Sequence, residues 1–158
     1  MPIIIDGHNL LWTVCKSDKD ENSPTDLQLC HIVARYLRIV AEKGHIVFDG
    51  TGPPDIRPFD NISNLEVSFS GMNSDADTVI EKKVAASTDP RRLVVVSSDR
   101  RLRAAARAAK ASAVKSDVFW NDVNRRLNQS RKNREPGAKR HGLSEGETDK
   151  WLKIFGVE

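Results

Sequence analysis

Pro2-Ile3-Ile4-Ile5-Asp6-Gly7 decides how the rest of the chain is read. An unbroken run of β-branched residues with no polar alternation is a strand buried on both faces, and Asp-Gly ends it abruptly. The same ending recurs. His45-Ile46-Val47-Phe48-Asp49-Gly50 and Leu93-Val94-Val95-Val96-Ser97-Ser98-Asp99 are also apolar runs closed by an aspartate. Strands of this kind need cover on both sides, which is the condition of a parallel sheet with helices on both faces.

The intervening segments supply those helices. Ser23, Pro24 and Asp26 give a helix start, Leu27, Cys30, Ala34, Leu37 and Ala41 an apolar stripe, and Gly44 a stop. Gly50 to Asn64 is rich in Gly, Pro and Asp and reads as loop. Leu65, Val67 and Phe69 alternate with Glu66 and Ser68, the pattern of a half-exposed edge strand. Helices are expected from Asp75 to about Ser87, from Arg100 to Ala109, and from Asp117 through Phe119, Val123 and Leu127, with a short strand at Ala113-Val114. One α/β domain over residues 1–128 follows, then a basic, flexible linker over 129–141. A C-terminal helical segment over 142–158 docks through Trp151, Leu152 and Phe155. Core packing is the expected role of both Trp12 and Trp120, with base stacking as the alternative.

A chain of 158 residues buries roughly 70% of the surface its unfolded form exposes, enough for one core. No signal peptide or membrane span is expected, because the N-terminal apolar run is short and meets an acid. Cys15 and Cys30 have neither the spacing nor the neighbours of a zinc site or disulfide framework, which fits a reducing cytoplasm. The net charge of +3 hides an asymmetry. Residues 1–90 carry 8 Lys and Arg against 14 Asp and Glu, whereas residues 91–141 carry 15 against 4. Clustered acids followed by clustered cations suggest a polyanion gripped by one region and acted on by metal in the other.

Ligands of open parallel sheets bind beyond the carboxyl ends of the strands, where Asp6, Asp49 and Asp99 all fall. Carboxylates packed together repel unless they share a cation, and oxygen ligands suit Mg²⁺ or Mn²⁺. Ser74 and Asp77 match a helix capping box, and Asp77 and Glu81, four apart, share a helical face. Asp75 lies on another side of that helix, as an indirect or substitute ligand. The alternative for each acid is a structural one: it caps the turn or helix that follows. Arg100, Arg101, Arg103 and Arg107 start directly after Asp99, and Arg125, Arg126, Arg131, Lys132 and Arg134 extend a path for phosphates.

Ile3 to Leu11, Ala76-Asp77-Thr78-Val79-Ile80-Glu81 and Val94 to Asp99 resemble the three signature stretches of the NYN family, in its bacterial YacP-like branch. The resemblance covers about residues 1–128. It implies a PIN-like, Rossmann-like three-layer sandwich and a metal-dependent endoribonuclease that hydrolyses single-stranded RNA. Asp6, Asp77 and Asp99 would then be metal ligands, Asn9 the paired polar residue of the site, and Ser97 the hydroxyl two before the last acid. Asp49, Asp75 and Glu81 compete for a fourth acidic place, and His8 stands where the family commonly has an aromatic residue. The expected partner is single-stranded RNA, messenger RNA presented on the ribosome among the candidates, with no membrane and no small-molecule cofactor. Two other readings compete: a non-catalytic RNA- or ribosome-binding module on the same scaffold, and a phospho-receiver domain. The second wants paired acids after the first strand and a lysine after the last, which Asp6-Gly7-His8-Asn9 and Ala113-Val114-Lys115 meet only in part.

Overall fold

The computed structural model describes residues 2–17 and 23–134. Its centre is a five-stranded parallel sheet of β1 (Ile3–Asp6), β2 (Gly44–Phe48), β3 (Leu65–Phe69), β4 (Val94–Val96) and β5 (Ser112–Val114), ordered β3-β2-β1-β4-β5. The anticipated edge position of β3 holds. β1 sits in the middle, with Ile5 level with Ile46 on one side and Val96 on the other. Because side chains alternate along a strand, these apolar runs feed two cores. Ile3, Ile5, Ile46, Phe48 and Val96 enter one, Ile4, Val47 and Val95 the other. A fully buried side chain of this size contributes about 1.5–3 kcal/mol, so both faces must be roofed.

The first core is roofed by α1 (Gly7–Ser17), α2 (Asp26–Val40) and α6 (Ser116–Arg134). The second is roofed by α4 (Ala76–Ala86) and α5 (Arg100–Ala108). The β1–β2 connection runs to one side of β1, and the chain later returns to β4 on its other side. The order therefore reverses between β1 and β4, and their carboxyl ends flank the crevice where such sheets bind ligands.

Several boundaries differ from the sequence expectation. α1 was unanticipated: Asp6-Gly7 ends the strand, but the chain enters a helix at once. Gly7 is required by space, since a Cβ there would lie 2.5 Å from the Phe48 ring. α2 is capped by Thr25, not Ser23, in a reciprocal box with Gln28 (3.2 and 2.9 Å), and closes at Ala41 in the left-handed region (φ 56°). Gly44 opens β2. The N-cap of α4 is Asp75, not Ser74, and a short α3 (Arg57–Asp60) interrupts the expected loop. α6 continues to Arg134, so residues 129–134 are helical where linker was expected. The rest of that linker and the 142–158 segment, with Trp151, Leu152 and Phe155, lie outside the described residues. Trp120 is buried as expected, whereas Trp12 is 60% exposed. No helix among the described residues is long and apolar enough to cross a membrane.

Candidate active site

Asp6 is the last residue of β1 and is only 6% exposed, a buried carboxyl at the end of an apolar strand. It is held by what surrounds it. The buried Ser97 hydroxyl donates to Asp6 Oδ2 (3.3 Å) and accepts from the Asp99 backbone N–H (3.1 Å). The Asn9 backbone N–H also donates to the Asp6 carboxylate. Asp99 N-caps α5 by accepting from Leu102 N–H with Oδ1 (3.1 Å). Asp49 follows β2 and accepts from the Ala76 N–H with Oδ1 (2.6 Å), which ties the start of α4 to the sheet. Asp75 caps α4 by accepting from Thr78 N–H (2.7 Å), and Asp77 stands in its first turn. The capping role and the clustering thus coexist. Asp49 and Asp99 each commit Oδ1 to a backbone amide, and the other oxygen of Asp49 lies 3.7 Å from the His8 ring.

Electrostatics shows that these acids face one another. Burial, followed by the negative charges of Asp77 and Asp49, pushes the Asp6 carboxyl up to about 6, against the pull of the Asn9 amide and Ser97 hydroxyl. Asp77 is also raised, by desolvation and then by Asp99, Asp75 and Asp49. Four separate segments therefore converge, as the strand endings suggested. α1, α4 and α5 also point their N-termini toward this edge, and the positive ends of their dipoles offset part of the repulsion and favour anions. Among the described residues no three His, Cys, Asp or Glu side chains form a ready-made metal cage. The donor set is nonetheless all oxygen and strongly self-repelling. It suits a hard cation that keeps several waters and takes only one or two carboxylates directly.

The structure separates the other expected residues by role. Asn9 Oδ1 accepts from Ser98 N–H (2.9 Å) and the Ser116 hydroxyl (2.6 Å), bracing α1 against the β4 turn and the start of α6. Ser116 went unread, although its place before Asp117 is that of a helix start. Glu81 does not turn to the acid cluster: both its oxygens take the Arg101 guanidinium (2.9 and 3.3 Å), joining α4 to α5. Arg125 and Arg126 both bond to Asp122, which also accepts from the Tyr36 hydroxyl (2.7 Å) and fastens α6 to α2. Among the described residues Arg100, Arg103 and Arg107 form no ion pair, and Arg103 Nε is buried without a hydrogen-bond partner. His8 lies 3.7 Å from Asp49 and 3.9 Å from Asp26, with its ring against Phe48 (centroids 5.3 Å).

A parallel sheet with aspartates gathered at its switch point defines an open α/β class whose ligands bind beyond the strand ends. Within that class, the chain belongs to the YacP-like NYN domain family, whose model matches residues 3–155. The crystal structure of Rae1 (YacP) from Bacillus subtilis has the same fold, with a TM-score of 0.71 at 20% identity over 98% of this chain and 92% of that one. Its W164L mutant superposes with a TM-score of 0.64, also at 20% identity, over 99% and 92%. No curated protein matches the sequence.

Proposed function

We propose that the chain is a divalent-metal-dependent endoribonuclease that hydrolyses single-stranded RNA, messenger RNA on the ribosome being one candidate substrate. The observation that carries this reading is the convergence of Asp6, Asp49, Asp77 and Asp99, with Asp6 pushed up to about 6 by burial and by its acidic neighbours. A site built for nothing would not gather like charges in a partly buried crevice. Asp6, Asp77 and Asp99, with Asp49 as the fourth acid, would hold Mg²⁺ or Mn²⁺ between them, one or two as direct ligands and the others through the ion's waters. When bound, the ion supplies Lewis acidity and an acidified water. The chain's own residues do the rest. Ser97 fixes the Asp6 carboxylate, Asn9 holds the Ser98 backbone that shapes the crevice, and the helix N-termini receive phosphate oxygens. Of the six arginines from Arg100 to Arg126, Arg100, Arg103 and Arg107 form no ion pair among the described residues and would meet the RNA backbone; Arg101, Arg125 and Arg126 are engaged within the fold. Both cysteines are free, as a reducing cytoplasm would keep them.

The test is incubation of the purified protein with single-stranded RNA in Mg²⁺ or Mn²⁺, with and without EDTA. Internal cleavage that EDTA stops supports the proposal. Binding without cleavage in either metal overturns it in favour of the non-catalytic RNA-binding module.

A further inference from the structure

α1 leads away from the acid cluster and is the one helix of the described acidic half that carries no Asp or Glu. Its apolar side is spent on the core through Leu10 and Val14, both fully buried. Another side bears His8, whose ring leans on Phe48, and then the exposed Trp12 and Lys16, spaced four apart and therefore aligned in one row down the helix. The row starts at the cluster, where His8 lies 3.7 Å from Asp49. Trp12 is 60% exposed, so its indole contributes little to the core, and the Lys16 ammonium lies 3.6 Å from the ring centroid. At about 1.5 Å of rise per residue, Trp12 stands roughly 9 Å along the axis from Asp6, the reach of a nucleotide or two.

We propose that this row is a nucleotide-binding strip: Trp12 stacks a base of single-stranded RNA beside the scissile phosphate, and Lys16 pairs with the phosphate beyond it. The inference rests on the ribonuclease reading and names how that site holds its substrate. A single flat aromatic flanked by an imidazole and an ammonium is suited to a base and its phosphates. A stable protein interface spreads over about 20–30 residues a side, whereas this row is one indole between polar groups, the scale of a nucleotide.

The test measures affinity of the full chain for a fluorescein-labelled single-stranded oligoribonucleotide at low salt in EDTA, alongside cleavage in Mn²⁺. Trp12→Ala should weaken binding roughly 5- to 100-fold, the worth of one stacked base, while Trp12→Phe keeps most of it. Replacing single nucleotides by abasic ones should find a position that weakens wild type equally and costs Trp12→Ala nothing more. Lys16→Ala should instead flatten the dependence of log affinity on log salt by about 0.7. If Trp12→Ala binds as wild type does, or every abasic oligonucleotide weakens both proteins alike, the strip is overturned and the ribonuclease reading stands. If wild type binds with Trp12-dependent stacking but never cleaves, the nuclease reading fails and the strip stands. Absence of any RNA binding overturns both.

Discussion

The two edges of the sheet carry similar numbers of charged side chains and treat them oppositely. At the amino edge, Lys43, His45, Glu66 and Lys83 line an open cavity of about 420 Å³ in which both signs are present. His45 hydrogen-bonds Ser68 Oγ (2.7 Å) and lies 3.5 Å from Glu66. At the carboxyl edge, Asp6, Asp49, Asp77 and Asp99 accumulate one sign, and the pKa of Asp6 climbs. Both edges belong to the same strands, so the fold itself does not impose the difference. At the amino edge an acid stands among the cations, whereas at the carboxyl edge the acids have only one another, and that repulsion is the feature on which the metal proposal rests.

The largest effect that separates the edges is on cleavage. Asp99→Asn keeps a good N-cap for α5, so folding is retained. It should nevertheless lower cleavage by more than the roughly 100-fold that loss of an outer-shell metal partner costs. Affinity for RNA should be equal or tighter, because a negative charge beside phosphate is gone. The matched change at the other edge, Lys43→Ala, should leave cleavage as it was. Single-turnover cleavage and oligonucleotide binding read both; equal losses from the two variants would erase the contrast between the edges.

A second test uses pH and has opposite signs at the two edges. The Asp6 carboxyl lies near 6 in the folded protein against an ordinary 3.8, so between these values the native state holds more protons than the unfolded one. Metal-free stability from this group therefore falls as pH rises through that window, by at most about 3 kcal/mol. Asp6→Asn should reduce the slope to the part contributed by the raised Asp77 carboxyl, and Mg²⁺ should oppose it. Burial, with the Lys83 charge, holds His45 below its ordinary 6.5. Its protonation favours the unfolded state, so this contribution is lost as pH falls below about 6.5, and His45→Gln should abolish that loss. Urea denaturation in EDTA from pH 4 to 8 resolves both slopes; matching signs would contradict the electrostatics described.

The sequence made the sheet and the acid cluster legible for one reason: buried strands are continuous apolar runs, and their ends are marked by aspartate. What was not legible depends on contacts between distant segments. Asp6-Gly7 looks like a turn because glycine usually serves backbone freedom, whereas Gly7 is there for the Phe48 ring and a helix starts on it. Glu81 shares a face with Asp77 in any helical projection, and only the docking of α5 shows that Arg101 has taken it. Arg125 and Arg126 look like a phosphate path until Asp122 is found between them and Tyr36. Trp12 was expected in the core because tryptophan usually is buried; it lies on the face of α1 opposite Leu10 and Val14, in a helix that had not been anticipated.

Glu81 gives the smallest expected effect and sets the boundary of the carboxyl-edge cluster. Its carboxylate is bidentate to an Arg101 side chain that is 65% exposed, and such pairs contribute about 0–1 kcal/mol. Glu81→Gln should therefore cost less than about 1 kcal/mol in urea denaturation and leave the Mn²⁺ concentration for half-maximal cleavage unchanged. A slight gain in RNA affinity is expected, because the freed Arg101 already feels Asp75 and Asp77 and can turn to a phosphate. That added contact would steepen the salt dependence by up to about 0.7. A tenfold rise in the metal requirement would give the opposite answer: Glu81 would then leave Arg101 when the ion binds, and the cluster would extend one turn further along α4 than its resting contacts show.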